Sequence, residues 1–187
     1  MEYFMPATKN KKWTYNDYLN LPDDKRYEII DGELIEMAPS PRKKHQIISL
    51  NLSYRLLDFV RKHRLGHIIS APFDVHLNEK NILQPDILFI LQEKEDILKE
   101  EGVFGSPDLV IEILSPSTTK RDRENKYKIY EKFGIKEYWI VDPDKESIEV
   151  YVLEKDQYRL YNQSAKGYTI KSHLFSEIEI NYNMLIE

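Results

Sequence analysis

Runs of alternating and helically spaced apolar positions succeed one another along this chain, and each change of period marks an element. In YEIIDGELIEM (residues 27–37) two β-prone runs flank Asp31-Gly32, a pair suited to a two-residue hairpin turn. With that turn, Ile30 faces Glu33 and Glu28 faces Ile35, so Glu28 shares a sheet face with Ile30 and Ile35. A carboxylate is out of place there. Upstream, Thr14 followed three residues later by Asp17 predicts a capped short helix that ends before Pro22. Downstream, His45, Ile48, Leu52, Leu56, Phe59, Val60 and His63 fall on one face at about 100° per residue, which predicts a helix with Gly66 as its stop.

The period then drops to two. From His67 to Leu77, the residues Ile69, Ala71, Phe73, Val75 and Leu77 share one face of an expected half-buried strand. PDILFIL (85–91) and PDLVIEILS (107–115) are apolar on both faces, as central strands covered by helices should be. Thr119 with Asp122 predicts another cap, opening a helix that runs to about Phe133 and stops at Gly134. EYWIVDP, IEVYVL and QYRLY then read as a strand meander with polar turns. The order helix, hairpin, helix, three strands, helix and further strands predicts a mixed α/β sandwich.

No repeat, low-complexity tract or Gly/Ser linker interrupts the chain, and 187 residues suit one domain spanning 1–187. Apolar residues make up 41% and charged residues 32%, a globular mixture that needs no disulfide or metal staple to fold. The longest uninterrupted apolar run is the five residues Ile87 to Leu91, far short of the ~20 a bilayer span requires. The N-terminal residues show no apolar core ahead of a cleavage site, so a cytoplasmic protein is expected. The absence of cysteine removes disulfide frameworks, thiolate zinc sites and cysteine nucleophiles. A net charge of −5 argues against a surface coated in basic charge for nonspecific nucleic-acid binding, yet leaves room for a local basic groove. Lys120 to Lys136 holds seven basic residues against three acids, whereas Gln92 to Glu101 holds five acids and two lysines.

Three residues then carry the chemical argument. Glu112 stands among Leu109, Val110, Ile111, Ile113 and Leu114 in a strand that otherwise reads as buried. A lone carboxylate out of water costs several kcal/mol unless it is paired, protonated or bound to a metal, so a buried ion pair and a functional acid are both open readings. Asp86 opens the neighbouring buried strand and comes beside Glu112 if the two strands pair. Two close carboxylates repel unless a cation lies between them, and hard oxygen ligands suit Mg²⁺ or Mn²⁺. On its predicted helix Lys126 points the same way as Asp122, Ile129, Tyr130 and Phe133, so the lysine occupies the packing face and needs an anion.

The order YEIIDGE, an H-x-x-I helix start, QPDILFI, PDLVIEILSPST, a K-Y helix and GIKEYWIVDP resembles the Uma-type family of restriction endonucleases, within the PD-(D/E)XK nuclease superfamily. The resemblance covers a core of about residues 27–143. It implies a restriction-endonuclease-like fold, a mixed sheet flanked by helices with an N-terminal hairpin and a C-terminal strand meander. It also implies a Mg²⁺- or Mn²⁺-dependent endodeoxyribonuclease that hydrolyses DNA phosphodiester bonds, expected as a homodimer. Asp86 matches the Asp of the superfamily's Pro-Asp element, Glu112 the acid of the second element, and Glu28 the glutamate of the family's first hairpin strand. Asp86, Glu112 and Glu28 are thus the expected metal ligands, with Lys126 as the fourth active residue. The sequence departs from the superfamily pattern at Leu114, two residues past Glu112, where a lysine usually stands; Lys126 fits a lysine moved to the following helix. Such a site would activate a water and stabilise charge on the phosphoryl and departing oxygens. A non-catalytic DNA- or protein-binding regulator on the same fold is the alternative. A glycosidase-type carboxylate pair would leave Lys126 unexplained.

Other motifs carry less. His45 reads as a satisfied core or capping histidine. The i, i+4 pair His63 and His67 is interrupted by Gly66 and has no following Glu, which dismisses a zinc helix. Ser115 to Thr119 reads as a turn and cap, and the two tryptophans and thirteen tyrosines as core and strand residues.

Overall fold

The computed structural model describes residues 11–22, 24–37, 41–164 and 168–187; residues 1–10, where a secretory signal would begin, lie outside the described residues. Helix α1 (Tyr15–Tyr18) is followed by the hairpin strands β1 (Tyr27–Ile30) and β2 (Glu33–Glu36) and by the long helix α2 (Lys43–His63). Strands β3 (Gly66–Ser70), β4 (Val75–Asn78), β5 (Asn81–Leu83) and β6 (Ile87–Leu91) come next, then β7 (Leu98–Lys99), β8 (Gly102–Phe104) and β9 (Leu109–Ile113). A π turn, Arg121–Lys126, runs directly into α3 (Tyr127–Lys132). The meander β10 (Glu137–Asp142), β11 (Ser147–Glu154) and β12 (Gln157–Ser164) precedes a small ladder of β13 (Thr169–Lys171) and β14 (Glu179–Asn181).

These strands build two six-stranded sheets. The central one runs β12-β11-β10-β9-β6-β3, the second β2-β1-β5-β4-β8-β7. Alternation along the central strands divides their side chains between two cores. Ile87, Phe89, Leu109, Ile111, Trp139 and Val141 pack with Ile48, Leu52, Leu56 and Val60 of α2 and with the β13–β14 ladder. Leu88, Ile90, Val110, Tyr138 and Ile140 pack on the other face with Ile129 and Tyr130 of α3 and with Ile30, Val75, Leu83 and Val103 of the second sheet. The apolar character of β6 and β9 on both faces follows from this double covering. Among the described residues no helix is long and apolar enough to cross a membrane.

The hairpin forms as the sequence predicts, with Ile30 opposite Glu33 and Glu28 opposite Ile35. Asp31 and Gly32 both take positive φ, 48° and 78°, as a type I′ turn demands. Thr14 and Asp17 form the expected cap, the Thr14 amide and hydroxyl both donating to Asp17 Oδ2 at 3.0 and 2.9 Å.

Three expectations are corrected. Helix α2 ends at Arg64, which takes the left-handed conformation (φ 53°). Gly66 instead starts β3, where a Cβ would meet Ile90 O at 2.0 Å. The predicted strand His67 to Leu77 is two strands in different sheets, because Pro72 has no N–H to offer a ladder and the chain bends there. Thr119 does not cap its helix; its hydroxyl donates to the Ser115 carbonyl at 2.8 Å, and the first turns of the helix are wound as a π turn.

Candidate active site

Strands β6 and β9 pair antiparallel with Ile87 opposite Ile111, which sets Asp86 beside Glu112 one step further along. The Ile113 amide donates to Asp86 Oδ2 at 2.7 Å, fixing that carboxylate across the strand pair. From the other side His45, near the start of α2, brings Nε2 to 3.2 Å from the same oxygen. Glu112 points to the opposite face of the sheet from Ile111 and Ile113, toward α3 and the hairpin. There its Oε1 accepts from Lys126 Nζ at 2.8 Å and from the Tyr130 hydroxyl at 2.7 Å.

Lys126 gathers the remaining acids. Its ammonium lies 2.7 Å from Glu28 Oε1 and 3.8 Å from Asp122 Oδ1, and the residue is 2% exposed. Glu28 Oε1 also accepts from the Gln84 amide at 3.0 Å, tying β1 to the segment entering β6. Its Oε2 makes no hydrogen bond among the described residues and faces Arg121 at 3.6 Å. The anomalous carboxylate on the hairpin's apolar face is therefore half of a buried ion pair. The structure brings together all four sequence-predicted residues, Asp86, Glu112, Lys126 and Glu28, around one cleft of about 480 Å³ that also admits His45, Gln84, Ser115, Ser117, Thr118, Arg121 and Asp122.

Four carboxylates (Glu28, Asp86, Glu112, Asp122) and four permanent cations (Lys126, Arg121, Arg26, Arg42) line this cleft. Lys126 and Arg121 stand within ion-pair distance of its acids. Burial pushes the Glu112 carboxyl well above the usual range; Lys126 pulls it back, while Asp122, Asp86 and Glu28 push it further. Burial likewise raises Asp122 against the pull of Lys126. Burial alone would lower His45, but the hydrogen bond and charge of Asp86 outweigh it and raise the imidazole. Burial opposes the Lys126 ammonium too, and the surrounding carboxylates reverse that effect.

Sequence reasoning missed parts of the site. His45 is the partner of Asp86 rather than a plain core histidine, and Arg121 and Gln84 line the cleft beside the predicted acids. Arg121 next to the i, i+4 pair Asp122 and Lys126 was the available signal. The basic run Lys120 to Lys136 proves heterogeneous: Arg123 pairs with Glu149 at 2.8 Å, Lys136 with Asp108 at 3.0 Å, and Arg121 and Lys126 face Glu28. Lys120, Lys128 and Lys132 are exposed. His63 stacks on Phe59 and His67 lies 3.3 Å from Glu95, so the two do not converge. Among the described residues no three His, Asp or Glu side chains form a ready-made metal cage.

The fold is found in a solved structure titled as a putative nuclease belonging to DUF820 from Anabaena variabilis, with a TM-score of 0.76 and 21% identity, covering 92% of this chain and 97% of that one. Two uncharacterized proteins of Synechocystis sp., sll1609 and slr1290, are each 26% identical over 151 and 153 residues. Those matches cover 79% and 78% of this chain and 84% and 77% of the relatives. Residues 15–183 match the family model described as "Uma2: Putative restriction endonuclease".

Proposed function

Because the chain belongs to the Uma2 family, whose description makes it nuclease-like, we propose that it is a metal-dependent endonuclease hydrolysing DNA phosphodiester bonds at the Asp86–Glu112 cleft. The observation that carries this reading is the pair of carboxylates on adjacent strands, set side by side by the strand register and open to one cleft. Two adjacent carboxylates repel, and a divalent cation between them relieves that repulsion. Mg²⁺ and Mn²⁺ fit the donor set: the carboxylates are hard oxygen ligands, and Mg²⁺ is commonly held by only one or two of them, its remaining shell being water and substrate oxygens. Asp86 and Glu112 would hold the ion, which when bound supplies an activated water and neutralisation of charge on the phosphoryl group.

The chain's own residues do the rest. The Ile113 amide and His45 fix the Asp86 carboxylate from two sides, so its orientation needs no rearrangement when a cation arrives. Lys126 places a permanent positive charge against Glu112 at the wall of the cleft, where it stabilises charge developing on a phosphate. Glu28 and Tyr130 hold that ammonium and its partner carboxylate in place. Glu28, whose Oε1 already serves Lys126 and Gln84, acts here as an anchor for the lysine.

Calorimetric titration with Mn²⁺ tests the assignment, together with Mg²⁺-dependent cleavage of supercoiled plasmid. Wild type should bind Mn²⁺ and nick or linearise the plasmid, and Asp86→Ala should lose both. Undiminished Mn²⁺ binding by Asp86→Ala would remove the metal from this cleft. A wild-type protein that neither binds the ion nor cuts would leave the cluster as a structural ion pair in a non-catalytic relative.

A further inference from the structure

Resting on the nuclease reading, we propose that Arg121 is the residue that grips a DNA backbone phosphate next to the one attacked, and that the π turn exists to place it there. In an α-helix, residues five apart stand about 140° apart around the axis, so Arg121 and Lys126 would point in different directions. A π turn spaces its hydrogen bonds over five residues, winds more residues into each turn and so narrows the angle between such a pair. The turn spans Arg121–Lys126, and both cations duly face the same glutamate, Lys126 on Glu28 Oε1 and Arg121 on Glu28 Oε2.

The two contacts differ in kind. Lys126 is locked at hydrogen-bond distance from two carboxylates, whereas Arg121 stands 3.6 Å from Glu28, its only ion-pair partner among the described residues, beyond a hydrogen bond. Among the described residues its buried Nε–H finds no acceptor, and the Glu28 Oε2 it faces finds no donor. An arginine with unspent donors at the wall of a catalytic cleft is poised for a second anion, and its planar fork matches the two oxygens of a phosphate.

Position supports the same assignment. Arg121 and Ser117 line both the Asp86–Glu112 cleft and a second, more open hollow of about 720 Å³ between the hairpin and the π turn. Lys120 and Asn125 continue that hollow along the helix wall, while Glu33 and Glu36 stand on the hairpin side. A polyanionic strand leaving the carboxylates would pass Arg121 and follow the helix wall, away from the hairpin acids. The partner is therefore the sugar-phosphate backbone of DNA, read by charge and shape rather than by base.

The test is fluorescence anisotropy of a labelled DNA duplex with the full chain in Ca²⁺ across a salt series, alongside melting and cleavage kinetics. Arg121→Gln should raise the Kd on the order of tenfold and flatten the salt dependence by about one phosphate contact, a slope change of roughly 0.9. Cleavage should show a raised KM with kcat little changed, as when a contact made equally in ground and transition states is lost. Arg121→Lys should restore the salt slope but only part of the affinity, because a lysine cannot bind bidentately. The melting temperature of both variants should stay close to wild type, since Glu28 keeps its contacts with Lys126 and the Gln84 amide when Arg121 is replaced. If wild type binds and cuts DNA while Arg121→Gln changes neither Kd nor slope, this assignment falls and the nuclease reading stands. A large drop in melting temperature would make Arg121 structural and overturn the assignment as well. Wild type that binds no duplex at low salt would overturn both.

Discussion

Replacing Lys126 by methionine keeps the length and apolar stem of the side chain and removes one ammonium. The structure makes the consequence severe, because that ammonium is hydrogen-bonded to Glu112 and Glu28 at 2.8 and 2.7 Å and stands 3.8 Å from Asp122, all inside the protein. Removing one partner of a buried ion pair typically costs about 3–5 kcal/mol, and here two contacting carboxylates are left facing one another. For a chain of this size that loss lowers the melting temperature by about 2–4 °C per kcal/mol. The shortfall should also depend on pH in a definite sense. Burial already raises the Glu112 carboxyl and Lys126 restrains it, so losing Lys126 raises it further. A carboxyl whose folded pKa lies above its unfolded one binds protons preferentially in the folded state, which adds stability as pH falls. Relative to wild type the variant takes up to one extra proton and regains up to about 1.4 kcal/mol per pH unit. Urea denaturation at pH 8 and pH 6 measures both effects: a gap of about 3–5 kcal/mol at pH 8 that narrows at pH 6. Cleavage by the folded fraction should fall on the order of a hundredfold. A loss below about 1 kcal/mol at pH 8, or a gap indifferent to pH, would refute Lys126 as the shared counter-ion of Glu112 and Glu28.

Two further outcomes follow from other parts of the molecule. His76 is buried, stacks on Phe104 with centroids 4.4 Å apart, and has its pKa lowered by burial, so the unfolded chain takes up the proton first as pH falls below the ordinary value of 6.5. Stability should decline on acidification below that value, and His76→Phe should shrink the difference in melting temperature between pH 7.5 and 5.5. On the nuclease reading a two-fold dimer would set one cleft against each strand of a duplex, so light scattering should give twice the 22.4 kDa chain mass, and a monomer at working concentration and in the presence of DNA would refute the two-fold arrangement.

Local chemistry explains what was legible in the sequence. The hairpin could be read because its register depends only on a two-residue turn whose φ values Asp and Gly accept. Helix α2 could be read because burial of one face imposes a period on it, and strands β6 and β9 because burial of both faces leaves an almost unbroken apolar run. The limits of α2 and β3 could not, because they depend on contacts between distant segments. Gly66 looks like a helix stop by type, yet its glycine is required by the Ile90 carbonyl of the neighbouring strand. The run His67 to Leu77 keeps its period of two through Pro72, and nothing local says that β3 will join the central sheet and β4 the second.

The site illustrates the same division more sharply. Residue 114, two beyond Glu112, shares its face of β9 by strand alternation, and a lysine there would lie beside Glu112 along the strand. Leu114 is instead 5% exposed and packs into the core beneath α3. The ammonium reaches Glu112 from the helix packed above that same face, so the charge occupies the place that the strand spacing would have given it. A motif written as residue spacing fails at Leu114, while the physical demand behind it, a cation for a buried carboxylate, is met fourteen residues later. That demand was readable from one strand, since Glu112 among five apolar neighbours needs a partner whatever its position in the chain. The π turn was not readable, because its evidence is geometric: only the folded chain shows Arg121 and Lys126, five residues apart, converging on the two oxygens of Glu28.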